Sequence, residues 1–258
     1  MYHVTEPQDE ILPSQLPDYA QGVFVDWETS GLYPDDGAYI ASAGVSWYRP
    51  DGSIEAHAFP FRQGVYGKPE YDTAFYGWNE YQEQYGVYKN DSKATGAKAG
   101  DPKYRKVREP YGPEVLEPDP NLPFAEFDAL MEWLSQRDLA AHNALFEAIM
   151  SEYGPTLPHD WDLLPNLTWC TLLGQHILDP EHEKGLKPTA DRLWGESPDT
   201  QDALKEHLKA RRLPSRRYDL ADWSVIRPYL LDDVIKGIRL ARLQYYRFRG
   251  HEARFDRL

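Results

Sequence analysis

Val23-Phe24-Val25-Asp26-Trp27-Glu28-Thr29-Ser30-Gly31-Leu32 is the stretch on which the fold turns. Apolar residues lead into two carboxylates one residue apart, and a Thr-Ser-Gly turn follows. In an extended strand, residues i and i+2 face the same side, so Asp26 and Glu28 project together from one strand end. Paired carboxylates repel each other and lose solvation, a cost that a divalent cation offsets most readily. The same tripeptide also reads as surface decoration. Further carboxylates in matching settings downstream separate the two readings.

Working outward, residues 22–28, 38–48 and 54–62 are predicted strands, and Arg49-Pro50-Asp51-Gly52 between the last two is a hairpin turn signal. Apolar spacing at Phe127, Leu130, Met131 and Leu134 predicts a helix from Phe124 to Gln136. A short strand around Leu139–His142 and a helix from about Ala144 to Tyr153 follow. Further helices are predicted over Leu167–Leu178 and Pro188–Trp194. The C-terminal helix is expected to start near Pro228, because proline suits the first helical position, and to run to about Arg247. Three strands and then a helix–strand–helix succession predict one α/β domain, a mixed sheet with helices packed on it. Residues 1–20, polar and rich in proline, are expected to form an extended arm. Residues 63–121 interrupt the pattern as a Gly-, Pro- and Tyr-rich insertion, and residues 122–258 complete the core.

Composition narrows the functional classes. A chain of 258 residues with 41% hydrophobic side chains can bury a sizeable core. No run of 18 apolar residues occurs, so no membrane span is predicted. The Met1–Pro7 opening lacks the basic and apolar regions of a secretion signal. Cys170 is the single cysteine, which excludes an internal disulfide, argues against a zinc–thiolate cluster and fits a reducing cytoplasmic setting. The net charge of −14 is unevenly spread: residues 201–258 carry 14 basic and 8 acidic side chains. A basic tail on an acidic chain suits either a local phosphate-binding surface or a solvated helix.

Two further blocks carry acids in telling places. In Ala141-His142-Asn143-Ala144-Leu145-Phe146-Glu147 the strand-to-helix position puts Asn143 at the turn and Glu147 on the first helical turn. Asn143 there is a helix N-cap or a site residue; Glu147 is a favourable charge at a helix N-terminus or a ligand. In Tyr229-Leu230-Leu231-Asp232-Asp233 the tyrosine and the last aspartate are four apart and share a helical face.

In order and type, the three blocks resemble the motifs of the DEDD family of 3′–5′ exonucleases. Asp26 to Leu32 matches Asp-x-Glu-Thr-Thr/Ser-Gly-Leu. Asn143 to Glu147 matches Asn-x-x-Phe/Tyr-Asp except at its last residue, and Tyr229 with Asp233 matches Tyr-x-x-x-Asp. The tyrosine marks the DEDDy branch, which includes the proofreading domains of family A DNA polymerases and ribonuclease D-like enzymes. Gly185-Leu186-Lys187, followed by Ala190, is similar to a Gly-Leu-Lys-x-x-Ala segment of the polymerase domains. The resemblance covers residues 20–62 and 122–245, and no polymerase domain follows within this sequence.

What the resemblance implies is specific. The fold would be an RNase H-like mixed five-stranded sheet flanked by helices. Asp26, Glu28, Glu147 and Asp233 would hold two Mg²⁺ or Mn²⁺ ions about 4 Å apart, the spacing used to hydrolyse phosphodiesters. Tyr229 would orient the attacking water. Thr29, Ser30, Gly31, Leu32, His142, Asn143, Phe146 and Lys187 would contact the substrate, a single-stranded DNA 3′ end. Glu147 stands where the family has Asp; one methylene longer, it can ligate directly or displace a water, and activity is expected to survive with altered metal preference. The enzyme would work beside a separate DNA polymerase, in the cytoplasm or wherever DNA is replicated in a bacterial or phage-infected cell. Two alternatives stay open: a ribonuclease D-like exoribonuclease, and a non-catalytic nucleic-acid-binding or polymerase-associated module.

Two basic regions lie outside these motifs. Arg211, Arg212, Arg216 and Arg217, just before the Tyr229 block, are expected to guide the strand towards the metals. The insertion holds Tyr66, Tyr71, Tyr76, Tyr81, Tyr85, Tyr88, Tyr104 and Tyr111 together with Lys98, Lys103, Arg105, Lys106 and Arg108. Aromatic side chains interleaved with cations bind single strands by stacking and phosphate contact; an aromatic flap or a docking surface are the other readings. Deleting residues 66–112 separates them: cooperative unfolding retained with DNA affinity lost marks a binding element, and retained affinity marks a flap or docking surface.

Overall fold

The computed structural model describes residues 11–32, 38–61, 71–77, 104–110, 124–153, 161–196, 199–211 and 213–255. The chain divides into two units, residues 1–65 with 117–258, and residues 66–116.

The larger unit is built on β1 (Gly22–Thr29), the middle strand of five. On one side β1 pairs antiparallel with β2 (Ile40–Tyr48), which pairs antiparallel with β3 (Ile54–Pro60). On the other side it runs parallel to β6 (Asp138–Ala141), and β6 parallel to β7 (Leu167–Cys170). The order β3-β2-β1-β6-β7 with these directions is that of an RNase H-like mixed sheet. The predicted hairpin turn is present: Gly52 takes a positive φ of 84°, and its N–H donates to the Arg49 carbonyl at 2.9 Å. That left-handed backbone favours glycine.

A central strand must bury both faces, and β1 does. Val23, Val25 and Trp27 join Val45, Trp47 and Phe59 in the main core, against Phe127, Leu130, Met131 and Leu134 of α1 (Phe124–Ser135). On the opposite face Phe24 joins Ile54, Ala56, Ala140, Val234, Ile238 and Ala241. The last three belong to the long C-terminal helix, α6 (Trp223–Phe255). Between α1 and α6 lie α2 (Ala144–Tyr153), α3 (Thr171–Leu178), α4 (Leu186–Trp194) and α5 (Asp199–Ala210).

Helix α6 sits unusually close to the sheet. A side-chain carbon at Gly44, the β2 residue paired with Asp26, would approach Val234 Cγ1 to 2.7 Å and Leu230 Cγ to 2.8 Å. A side-chain carbon at Gly237 would run into the fully buried Phe24 ring. The Ser46 hydroxyl adds a 2.7 Å hydrogen bond to the Val234 carbonyl. These contacts bracket Asp233 along the helix.

Three expectations need correction, and one helix, α5, has no counterpart among the predicted elements. Residues 167–170 form a strand rather than the start of a helix: Leu-Thr-Trp-Cys has the branched and aromatic side chains that suit a pleated sheet, and pairing with β6 decides the outcome. Helix α6 starts five residues before Pro228, which lies inside it. A proline this near the start removes a single helical hydrogen bond. Helix α5 has only Leu204 and Leu208 buried, too sparse an apolar stripe to stand out among its polar neighbours. Residues 11–20 are not a free arm. Leu16 and Ala20 enter the main core, the Ser14 N–H and hydroxyl each donate to Glu126 at 3.0 Å, and Trp133 Nε1 donates to the Pro17 carbonyl at 3.1 Å.

In the smaller unit, β4 (Tyr71–Gly77) and β5 (Tyr104–Pro110) form an antiparallel pair with Tyr71 opposite Pro110 and Gly77 opposite Tyr104. Tyr66, Tyr81, Tyr85, Tyr88, Tyr111, Lys98 and Lys103 lie outside the described residues, as do Arg212 and residues 1–10. Among the described residues, no helix is long and apolar enough to cross a membrane.

The glycine contacts make a direct test. Gly237→Ala is expected to cost about 1–3 kcal/mol through overpacking, lowering the melting temperature by roughly 2–10 °C. An unchanged melting temperature would mean that α6 can lift from β1 at no cost.

Candidate active site

Strand pairing creates the opening for the site. The parallel ladder between β1 and β6 stops at Phe24 and Ala140, and after Ala141 the chain turns through His142 and Asn143 into α2. Beyond Phe24, one edge of β1 is therefore free. Glu147 occupies it: its carboxylate accepts the Trp27 backbone N–H at 3.1 Å, and its carbonyl accepts the Trp27 indole N–H at 3.2 Å.

Asp26 and Glu28 point to the α6 face, where Asp233 comes down from the helix. One carboxylate oxygen from each of the three lies within 4.8 Å of the others. Glu28 and Asp233 are buried. Burial and the Asp233 charge push the Asp26 carboxyl up to about 7, against the pull of Lys187. Burial and the charges of Asp26 and Asp233 hold Glu28 well above the usual carboxylate range. Burial, and then the Asp26 charge, likewise raise Glu147, with the Trp27 N–H opposing.

Lys187 supplies the compensating charge. Its ammonium lies 2.5 and 2.6 Å from the two Asp233 oxygens and 3.6 Å from the centroid of the Tyr229 ring. Asp233, raised by burial, is drawn back by this ion pair and by a hydrogen bond with Tyr229. Burial and the Asp233, Glu28 and Asp26 charges push the Tyr229 phenol up, so it stays protonated at neutral pH.

The remaining predicted contact residues divide. Thr29, Ser30, Gly31, Leu32 and Phe146 line a cavity of about 630 Å³ with Trp27, Glu28, Arg216, Arg217 and Tyr218. Leu32 is exposed at 53%. Asn143 is exposed, and its carbonyl receives the Phe146 N–H at 2.8 Å. His142 is turned into the protein: its Nδ1 is 2.9 Å from the Thr171 hydroxyl, and burial lowers its pKa to about 4, so it is neutral. Lys187 is held within the carboxylate cluster and does not line the cavity.

The three described arginines of the four also separate. Arg211 pairs with Asp222 at 2.6 Å and Arg217 with Asp219 at 2.7 Å, while Arg216 is exposed. Tyr218 and Asp219 were not legible as site residues, because they belong to no motif and reach the site only by packing.

No protein-family model matches the sequence, and no curated protein matches it. Among solved structures, the chain is similar to E. coli exonuclease I crystallised with a dA16 oligonucleotide, at 14% identity and a TM-score of 0.36. The match covers 83% of this chain and 42% of that one, so the chain spans less than half of that enzyme's length.

The donor set fits a divalent cation. Three carboxylates converge with oxygen atoms only, the choice of hard ions such as Mg²⁺ and Mn²⁺. The sign of the pH effect follows from the raised Asp26 pKa. A carboxyl that holds its proton more tightly when folded stabilises the fold at low pH and loses that contribution as pH rises from about 4 through about 7. With metal chelated by EDTA, Asp26→Asn should therefore gain in melting temperature relative to the native protein between about pH 5 and pH 8. A constant difference across that range would remove Asp26 from the repulsive cluster.

Proposed function

We propose that the chain is a metal-dependent 3′–5′ exonuclease of the DEDDy type, releasing nucleoside monophosphates from single-stranded or frayed DNA 3′ ends. The observation that carries this reading is the convergence of Asp26, Glu28 and Asp233 from one strand end and one helix, at a cavity walled by the residues that directly follow the first two. Its volume of about 630 Å³ is in the range of small-molecule sites. Asp26, Glu28 and Asp233 are among the residues that the motif resemblance implies as ligands, which supports the reading, and the choice of DNA over RNA rests on that resemblance.

Each residue then has a role. Asp26, Glu28 and Asp233 would hold Mg²⁺ or Mn²⁺, with two ions as the full complement. Bound there, the metal supplies water activation and neutralises charge as a phosphodiester is displaced. Glu147 holds the β1 edge through Trp27 and stands next to Asp26 as an outer ligand. Tyr229, kept protonated, acts through its hydroxyl as a hydrogen-bonding group that orients water beside Asp233. Lys187 balances the carboxylates through its ion pair with Asp233. The Thr29–Leu32 backbone and the Phe146 ring cradle the terminal nucleotide. Proofreading or DNA processing beside a separate polymerase is the setting that this chemistry serves.

Digestion of 5′-labelled DNA and RNA with Mg²⁺ or Mn²⁺ tests the proposal. A stepwise ladder on DNA, shortened from the 3′ end and lost in Asp26→Ala, is expected. Equal ladders from both proteins would reveal a contaminant and sink the enzyme claim, and a ladder on RNA alone would move the activity to ribonuclease.

A further inference from the structure

One wall of the cavity comes from a segment about 190 residues away from the first motif in sequence: Arg216, Arg217 and Tyr218. Tyr218 opens a single 3₁₀ turn, Tyr218–Leu220, and this turn is firmly held. Asp219 is fully buried and accepts Arg217 Nε at 2.8 Å, Arg217 Nη2 at 2.7 Å and the Tyr39 hydroxyl at 3.0 Å. Tyr39 in turn binds the motif's own turn. Its N–H donates to the Ser30 hydroxyl, and its carbonyl accepts the Ser30 N–H, both at 3.0 Å. Ser30, Tyr39, Asp219 and Arg217 thus tie the two walls together, and the cavity is preformed.

The two side chains that flank this anchor are differently placed. The Tyr218 ring meets Tyr229 edge-on, with centroids 5.7 Å apart, and its phenol feels the charges of Glu28, Asp233 and Arg216. Arg216 is exposed at the cavity wall and has no carboxylate partner among the described residues, whereas its neighbour Arg217 is committed to Asp219. On a chain of net charge −14, a guanidinium without a carboxylate is placed to meet an external anion. An aromatic face and a guanidinium two residues apart are the parts from which single-strand sites are made, one for a base and one for a phosphate.

We propose that Arg216 and Tyr218 form a subsite for the 3′-terminal nucleotide of a single strand, Tyr218 as the platform for its base and Arg216 as the ligand of the adjoining backbone phosphate. This assignment rests on the exonuclease reading for the end it names. It goes beyond that reading in making a segment outside all three motifs the second wall of the nucleotide site.

Binding measured without turnover tests it. The probe is a 5′-fluorescein oligo(dT) of eight residues, titrated by anisotropy in EDTA at several salt concentrations. Arg216→Ala should weaken binding about tenfold at low salt and reduce the salt slope by about 0.7, the value for one phosphate on a single strand. Arg216→Lys should keep the slope. Tyr218→Ala should weaken binding roughly 5- to 100-fold, as expected for one stacked base, and Tyr218→Phe should retain it. The Tyr218→Ala penalty should vanish on a probe whose 3′-terminal residue is abasic. An unchanged slope in Arg216→Ala overturns the phosphate contact. A penalty that persists on the abasic probe, or that Tyr218→Phe shares, overturns the platform. Absence of a digestion ladder with these binding results intact would end the exonuclease reading alone.

Discussion

The close seating of α6 on β1 and β2 is the constraint on which the rest of the molecule depends. Gly44 removes the side chain that would face Leu230 and Val234, and Gly237 removes the one that would meet Phe24. Gly44 is also the cross-strand partner of Asp26. The notch that admits the helix is therefore cut beside the first carboxylate, and Asp233 lies on the helix next to Val234, one of the two residues that fill it. Interiors are packed at crystal-like density, so the separation of helix and sheet is set by side-chain volume there and cannot drift. Core packing thus becomes site geometry: the distance between the carboxylates is a consequence of two missing methyl groups.

That geometry is electrostatically costly. Buried carboxylates with raised pKa values mean that the protein works against the desolvation and mutual repulsion of its own site. Lys187 offsets part of the cost by pairing with Asp233, and the pair is nearly inaccessible to solvent on both sides. The Trp27 N–H does the same for Glu147, at the place where the sheet has left that donor unpaired. A free strand edge would otherwise orphan a buried amide, and the acid that satisfies it is the one whose identity departs from the resembled motif. The longer Glu side chain reaches from the first turn of α2 to the β1 backbone. The described structure thereby gives the substitution a structural use apart from any metal.

The cavity beside the carboxylates depends on another kind of bond. Its two walls come from opposite ends of the sequence and are joined by the buried Asp219, which binds Tyr39 and Arg217 at once. A hydrogen bond to a charged group in a dry setting is stronger and more directional than one in water. The turn carrying Tyr218 and the turn carrying Ser30 are therefore held as one frame.

Much of this was legible in the sequence, for a definite reason. Periodicity within an element decides which side chains share a face. Asp26 with Glu28 at spacing two, Tyr229 with Asp233 at spacing four, and the strand-to-helix place of Glu147 could all be read locally. So could the three-stranded meander and the α1 core stripe. Contacts across the chain could not. Lys187 meets Asp233 across 46 residues, Glu147 meets Trp27 across 120, and Tyr39 meets Asp219 across 180. The side chains of Leu167–Cys170 suit a sheet, but the segment became a strand because β6 had an edge to offer. By itself, the sequence determined which acids exist and which way each element turns them. Only the tertiary structure decided which of them meet, because separations between elements are set by packing volume and by the long-range bonds that satisfy buried charge.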